Sequence, residues 1–145
     1  DPYWRETARI SVDPAIAAVA AKAEKEAAYH LRHAAEWVVR LGDGTAESRR
    51  RAERALDALW PYTDELFDAD AVEVALVADG AVPELASIRP VWEDTVERVL
   101  GRATLARPEV RWQQRGGRAG RHSEHLGFLL AELQYLQRTY PGATW

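Results

Sequence analysis

All four histidines fall in two pairs of the same spacing, His30-x-x-His33 and His122-x-x-His125. On a helix, residues three apart share a face, so each pair offers two imidazoles to one metal ion. Glu26 stands one turn before His30, and Glu132 two turns after His125. A di-metal carboxylate bundle needs a glutamate from each of two helices and Glu-x-x-His from the other two, all projecting inward. Both motifs are broken here. The first reads Glu26-Ala27-Ala28-Tyr29, with the imidazole one place late at His30. The second reads His122-Ser123-Glu124-His125, with a histidine where the carboxylate belongs. Asp57, Glu65 and Asp68, on the next stretch, lie off its apolar face. The ligand set is short of carboxylates, so the preferred reading makes these histidines hydrogen-bonded polar residues in or beside a core. The competing reading is a metal-dependent oxygenase or ferroxidase using Glu26, His30, His125 and Glu132.

The run Arg115-Gly116-Gly117-Arg118-Ala119-Gly120-Arg121 precedes a predicted helix. Loop amides, helix dipole and guanidinium groups together suit a phosphate. It is not a P-loop, because the terminal Lys-Ser/Thr pair and the preceding strand are missing. Three glycines serve a tight turn against a partner equally well. Nucleophilic catalysis has no candidate: there is no cysteine, and no Ser or Thr combines a suitable base spacing with a nucleophile elbow.

The elements that must position these residues read as helices. Asp13-Pro14 caps and opens a long one that runs to Arg40 and ends at Gly42-Asp43-Gly44. Ile16, Ala20, Ala27, Leu31, Ala34 and Val38 share its apolar stripe, with Glu26, His30 and His33 on the edge and His30 nearest the centre. Residues 1–12 show no complete periodic pattern and read as the end of an earlier element. Thr45 caps a second helix, predicted to kink at Pro61 and to bury Ala52, Ala55, Leu56, Leu59, Trp60, Thr63, Leu66 and Phe67. Helix is slightly favoured over strand for 70–78. Pro90 is expected to open another helix, which carries Trp92, Val96, Val99 and Leu100. Residues 104–121 form a long connection. The last helix is predicted from His122 to Arg138, with Leu126, Leu129, Leu130, Leu133 and Leu136 on its stripe. The fold class is all-α, a single domain over residues 1–145.

Composition narrows the function classes. A net charge of −4 over 145 residues argues against a nucleic-acid binder, and no run is long and apolar enough to span a membrane. The lack of cysteine fits a reducing compartment. The lack of methionine, even at position 1, reads as part of a longer or processed product. Charge is segregated: residues 57–97 hold eleven carboxylates and one cation, Arg89, whereas 98–121 hold seven arginines and one carboxylate, Glu109. The two halves are expected to neutralise each other within the fold or complex, or else to present a basic strip. Six tryptophans are a high load, and at least two are expected to face another chain.

These residues together resemble a known family. Lys25-Glu26-Ala27-Ala28-Tyr29-His30-Leu31-Arg32, Trp37 to Thr45 and Leu59-Trp60-Pro61-Tyr62-Thr63 look like the structural C subunits of phenylacetyl-CoA 1,2-epoxidases, the PaaC-like members of the ferritin-like superfamily. The most specific stretch is Gly116 to Gly127, followed by Leu130 to Arg138 and Pro141-Gly142. The resemblance covers essentially the whole chain and corresponds to the C-terminal part of the family protein. It implies a ferritin-like antiparallel four-helix bundle, incomplete at its N-terminus, in a cytoplasmic multicomponent monooxygenase of aerobic phenylacetate breakdown. It implies that Glu26, His30, His125 and Glu132 are vestiges of a metal site and that this chain holds no cofactor and no catalytic residue. A di-iron centre is expected in the partner catalytic A subunit, with a small bridging B subunit and an NADPH-dependent reductase as further partners. An uncovered bundle face also makes self-association of the chain an expectation. Within this assembly the Arg115, Gly116, Gly117, Arg118 and Arg121 loop has a third reading, contact with a CoA phosphate.

Overall fold

Asp13 shows why the longest element starts where it does. In the computed structural model, which describes residues 1–144, its carboxylate accepts hydrogen bonds from the amides of Ala15 (2.7 Å) and Ile16 (3.2 Å). Helix α2 then runs from Pro14 to Gly42. Among the described residues every regular element is helical. Two compact units result, residues 1–114 and residues 115 onward.

The first unit opens with a helix that sequence periodicity did not reveal. α1 spans Pro2–Ile10 and folds back on α2 as a hairpin, tied by Arg5 to Glu24 at 2.8 Å. Its inward face is Tyr3, Thr7 and Ile10, at helical spacing, but the central residue is polar. Thr7 is fully buried because its hydroxyl donates back to the Tyr3 carbonyl at 2.8 Å. A satisfied threonine thus hides the apolar signature.

α3 covers Ala46–Leu59, capped by Thr45, whose hydroxyl accepts the Ser48 amide at 3.1 Å. Pro61 does not merely kink this helix. The α-helical path ends, and the chain continues as 3₁₀ turns over Trp60–Tyr62 and Asp64–Phe67. A proline in the interior clashes with the carbonyl four residues back, whereas a 3₁₀ start accommodates it.

α4 occupies Ala71–Ala78 with a complete capping box between Asp70 and Glu73. α5 spans Leu85–Arg102 with Pro90 inside it, so the expected start at Pro90 falls about a turn late. Leu85 and Ile88, half-buried at i,i+3 spacing, anchor the extra turn, and the Ser87 amide bonds the Glu84 carbonyl in a 3₁₀-type start.

The core lies where α2, α3 and α5 meet. Trp60, Leu100, Ala103 and Leu105 form it, with Val38, Val39, Leu56, Trp92 and Val96 packed around. The Trp92 ring lies 6.0 Å from Trp60 and 5.4 Å from Phe67. Arg89 sits 4.3 Å over Phe67 while bonding Asp64 at 2.6 Å, and Arg107 lies 5.2 Å over Trp60. Arg107, from the basic segment, also approaches Glu97 (3.6 Å) and Glu93 (3.8 Å) of the acidic one.

In the second unit the predicted single helix is two: α6 over His125–Leu133 and α7 over Tyr135–Thr139, broken at Gln134. Neither proline nor glycine stands at the break. Leu126 is half-buried, while Phe128, Leu129 and Leu133 are exposed. Trp145 lies outside the described residues; of the other tryptophans, Trp4, Trp37 and Trp112 are exposed.

Candidate functional site

Glu26 and His30 project from α2 next to α1, one helical turn apart. Both are exposed, because the buried side of α2 is the stripe through Ala20 and Val38. They line an open hollow of about 390 Å³ together with Trp4, Val19, Lys22, Ala23 and Ala27. Among the described residues the only other charged group lining this hollow is the Lys22 ammonium, so its donor set does not fit a di-iron centre, which needs further carboxylates. His30 stands at the rim rather than near the apolar centre of the helix.

His125 and Glu132 belong to the second unit. His125 is the first residue of α6 and Glu132 lies in its last turn. Seven residues separate them by about 10 Å along the axis, too far to share one ion. His122 precedes α6 and Glu124 is its N-cap residue, which corrects the expectation that His122 and His125 share a helical face. Among the described residues no three or more His, Asp or Glu side chains gather at metal-binding spacing.

The Arg-Gly loop forms a closed turn. Gly116 (φ 92°) and Gly120 (φ 84°) take left-handed conformations that side chains disfavour. The amides of Ala119 and Arg121 donate to the Gly116 carbonyl at 3.0 and 2.9 Å, and Gly120 donates to Gly117 at 3.1 Å. Of the contributions expected for an anion cradle, these amides are engaged within the turn. The N-terminus of α6 lies downstream, at His125.

Two features escaped sequence reasoning. The first is an apolar trough of about 400 Å³ between α2, α3 and α5, walled by Leu31, Val38, Leu56, Leu59, Val96 and Val99. Leu31 and Leu59, expected to be buried, are exposed along it. The second is an aromatic ladder on α2. Tyr29 stacks with His33 at 6.3 Å and 17°, and His33 meets Trp37 edge-on at 6.4 Å. Arg32 lies 5.7 Å from the Tyr29 ring and Arg40 5.4 Å from Trp37. Its i, i+4, i+8 spacing is visible in the sequence. Beside it, the Arg102 guanidinium bonds Glu36 at 2.9 Å and holds that carboxyl below its ordinary range, joining α5 to α2.

An all-helical chain with broken ligand motifs and an uncovered apolar trough fits the ferritin-like bundle class. The sequence profile of the family described as phenylacetic acid catabolic protein matches residues 3–145, and the chain belongs to that family. It is 46% identical over 135 residues to the C subunit of the 1,2-phenylacetyl-CoA epoxidase of Escherichia coli strain K12. That match takes in 93% of this chain and 54% of the relative, so the chain spans about half the length of the curated relative it matches.

Proposed function

We propose that this chain is part of a non-catalytic subunit of a cytoplasmic oxygenase that epoxidises the ring of phenylacetyl-CoA, where it supports a di-iron catalytic partner. The family supplies the pathway. The observation that supports the structural role is the apolar trough between α2, α3 and α5, a surface costly to leave in water and suited to cover by another polypeptide. The donor set around Glu26 and His30 supports the same assignment, since it offers an ammonium where iron requires carboxylate. In this reading the iron resides in the catalytic partner, a small subunit bridges pairs, and a reductase brings electrons from NADPH.

Size-exclusion chromatography of the chain mixed with the catalytic partner tests the proposal. Co-elution as a stable heteromer is expected. Stoichiometric iron with an oxygen-dependent absorption band, after refolding of this chain alone with Fe(II), would assign it a metal site of its own instead.

A further inference from the structure

We infer that Asp43–Gly44, in the link between α2 and α3, is a site of spontaneous isoaspartate formation, and that the same dipeptide at Asp79–Gly80 is protected by its fold. The inference is independent of the subunit role.

The chain holds no asparagine, and of its aspartates only Asp43 and Asp79 precede a glycine. Glycine matters because the following amide nitrogen must reach the aspartate side chain, and without a Cβ nothing hinders its approach. The Gly44 nitrogen attacks Cγ of Asp43. The new C–N bond closes a five-membered succinimide, and the carboxyl hydroxyl leaves as water with the amide proton. Water then adds to one of the two ring carbonyls. Opening on one side restores aspartate; opening on the other leaves isoaspartate, whose main chain runs through the side-chain methylene. Water is the only co-reactant.

Both aspartates stand at the C-terminal end of a helix with near-helical backbone, Asp43 at φ −95°, ψ 11° and Asp79 at φ −78°, ψ −2°. In either case the next peptide unit has to turn before its nitrogen faces the carboxyl. What differs is the hold on that unit. At the second site the Gly80 amide bonds the Val77 carbonyl at 3.0 Å, and the Ala81 amide bonds Leu76 at 2.9 Å. The Gly80 carbonyl in turn accepts the Val12 amide at 3.1 Å. Ala81, Val82 and Pro83 follow, all buried. Turning the Asp79–Gly80 peptide therefore strains or breaks several hydrogen bonds together.

At the first site nothing comparable holds the chain. The Gly44 and Thr45 amides bond no group among the described residues, and Asp43 and Gly44 are both exposed. The lesion also falls where the fold has least slack. Its extra main-chain atom enters beside Gly42, where even a Cβ would meet the Ala103 carbonyl oxygen. Isoaspartate at position 43 therefore disturbs the joint at which α2, the start of α3 and the end of α5 come together.

The test incubates the whole 145-residue chain at neutral pH, folded and in concentrated guanidinium. Isoaspartate at each site is followed by peptide mapping with electron-transfer fragmentation, which distinguishes it from aspartate. In guanidinium only local sequence acts, and the ratio of the two rates there is the reference. In the folded chain that ratio is expected to shift about tenfold in favour of Asp43, the effect of one to two net hydrogen bonds on an opening equilibrium. Asp43→Glu lengthens the ring to six members and is expected to abolish the product at position 43 while leaving Asp79 unchanged. A folded ratio equal to the unfolded one, or no isoaspartate at position 43 in the folded chain, overturns the inference. So does an isomer at that position that survives Asp43→Glu.

Discussion

Gly42, the last residue of α2, lies directly against the backbone of Ala103, just past the end of α5. Both residues are buried. A Cβ at position 42 would run into the Ala103 carbonyl oxygen and come within 2.9 Å of the Ala103 methyl and the Leu105 side chain. The two longest helices of the first unit therefore end side by side only because one of them ends in glycine. Gly42→Ala must push α5 away or tilt it, and overpacking of this kind costs about 1–3 kcal/mol. Urea denaturation of the variant should show a lower midpoint with an unchanged slope; an unaltered midpoint would mean that the helix ends are not in contact.

A second joint lies beside it. Thr104 has φ 55°, the only non-glycine residue at positive φ among those described. Its amide bonds Gly101 at 3.2 Å, and the Leu105 amide bonds Leu100 at 3.0 Å, a helix end of the kind that usually places glycine at this position. Arg49 of α3 bonds both the Thr104 hydroxyl, at 2.6 Å, and its carbonyl. Arg49→Ala should cost about 1 kcal/mol, as the loss of an exposed intramolecular hydrogen bond does. The same substitution in a Thr104→Gly background should cost less, because glycine holds the left-handed conformation unaided. A double-mutant cycle measures this, and strict additivity of the two changes would deny that Arg49 supports the turn.

The helices were legible wherever a breaker or cap stood beside an apolar rhythm. Asp13-Pro14, Gly42-Asp43-Gly44 and Thr45 fixed both ends of α2 and the start of α3, since each residue satisfies or frees a specific backbone group. α1 was not legible because Thr7, buried by bonding its own helix, interrupts the apolar pattern. Pro90 misled because proline usually stands at a helix start, whereas here the helix begins at Leu85 and carries Pro90 inside it. At the site, residue types pointed to metal chemistry and spacing argued against it, and the degenerate motif was readable without coordinates. The trough was not, because periodicity tells which side of a helix is apolar but not whether a neighbour covers it.

The Glu36–Arg102 pair makes the junction of α2 and α5 sensitive to acid. Arg102 lowers the pKa of Glu36 first through the hydrogen bond and then through its charge. The folded state thus binds the Glu36 proton less readily than the unfolded state, where the group titrates near its ordinary value of about 4.3. Stability from this pair is fully present above that value and is lost as pH falls through the lower, folded value. Both side chains are about half exposed, so the effect is small and screened by salt. Glu36→Gln should therefore lose less stability than the parent between about pH 5 and pH 3, as read by urea midpoints at low ionic strength. Parallel acid profiles for the two proteins would remove Glu36 from the account.

α4 offers a sharper local test, because it has almost nothing but its cap. No residue of its eight is fully buried, and Val72 and Val74 face solvent. A helix this short does not persist on propensity alone. Asp70 accepts the amides of Val72 (2.8 Å) and Glu73 (3.1 Å), while the Glu73 carboxylate accepts the Asp70 amide at 3.0 Å. Three groups that a helix start leaves unpaired are satisfied by two side chains. Asp70→Ala should raise the free energy of this segment by about 1 kcal/mol. Since α4 opens more easily than the core, the loss should appear as hydrogen exchange roughly fivefold faster at the amides of Val74 to Asp79, with the exchange of Leu100 and Ala103 hardly altered. Equal acceleration across both regions would show that α4 unfolds only with the core, and that the cap stabilises the whole unit rather than this one helix.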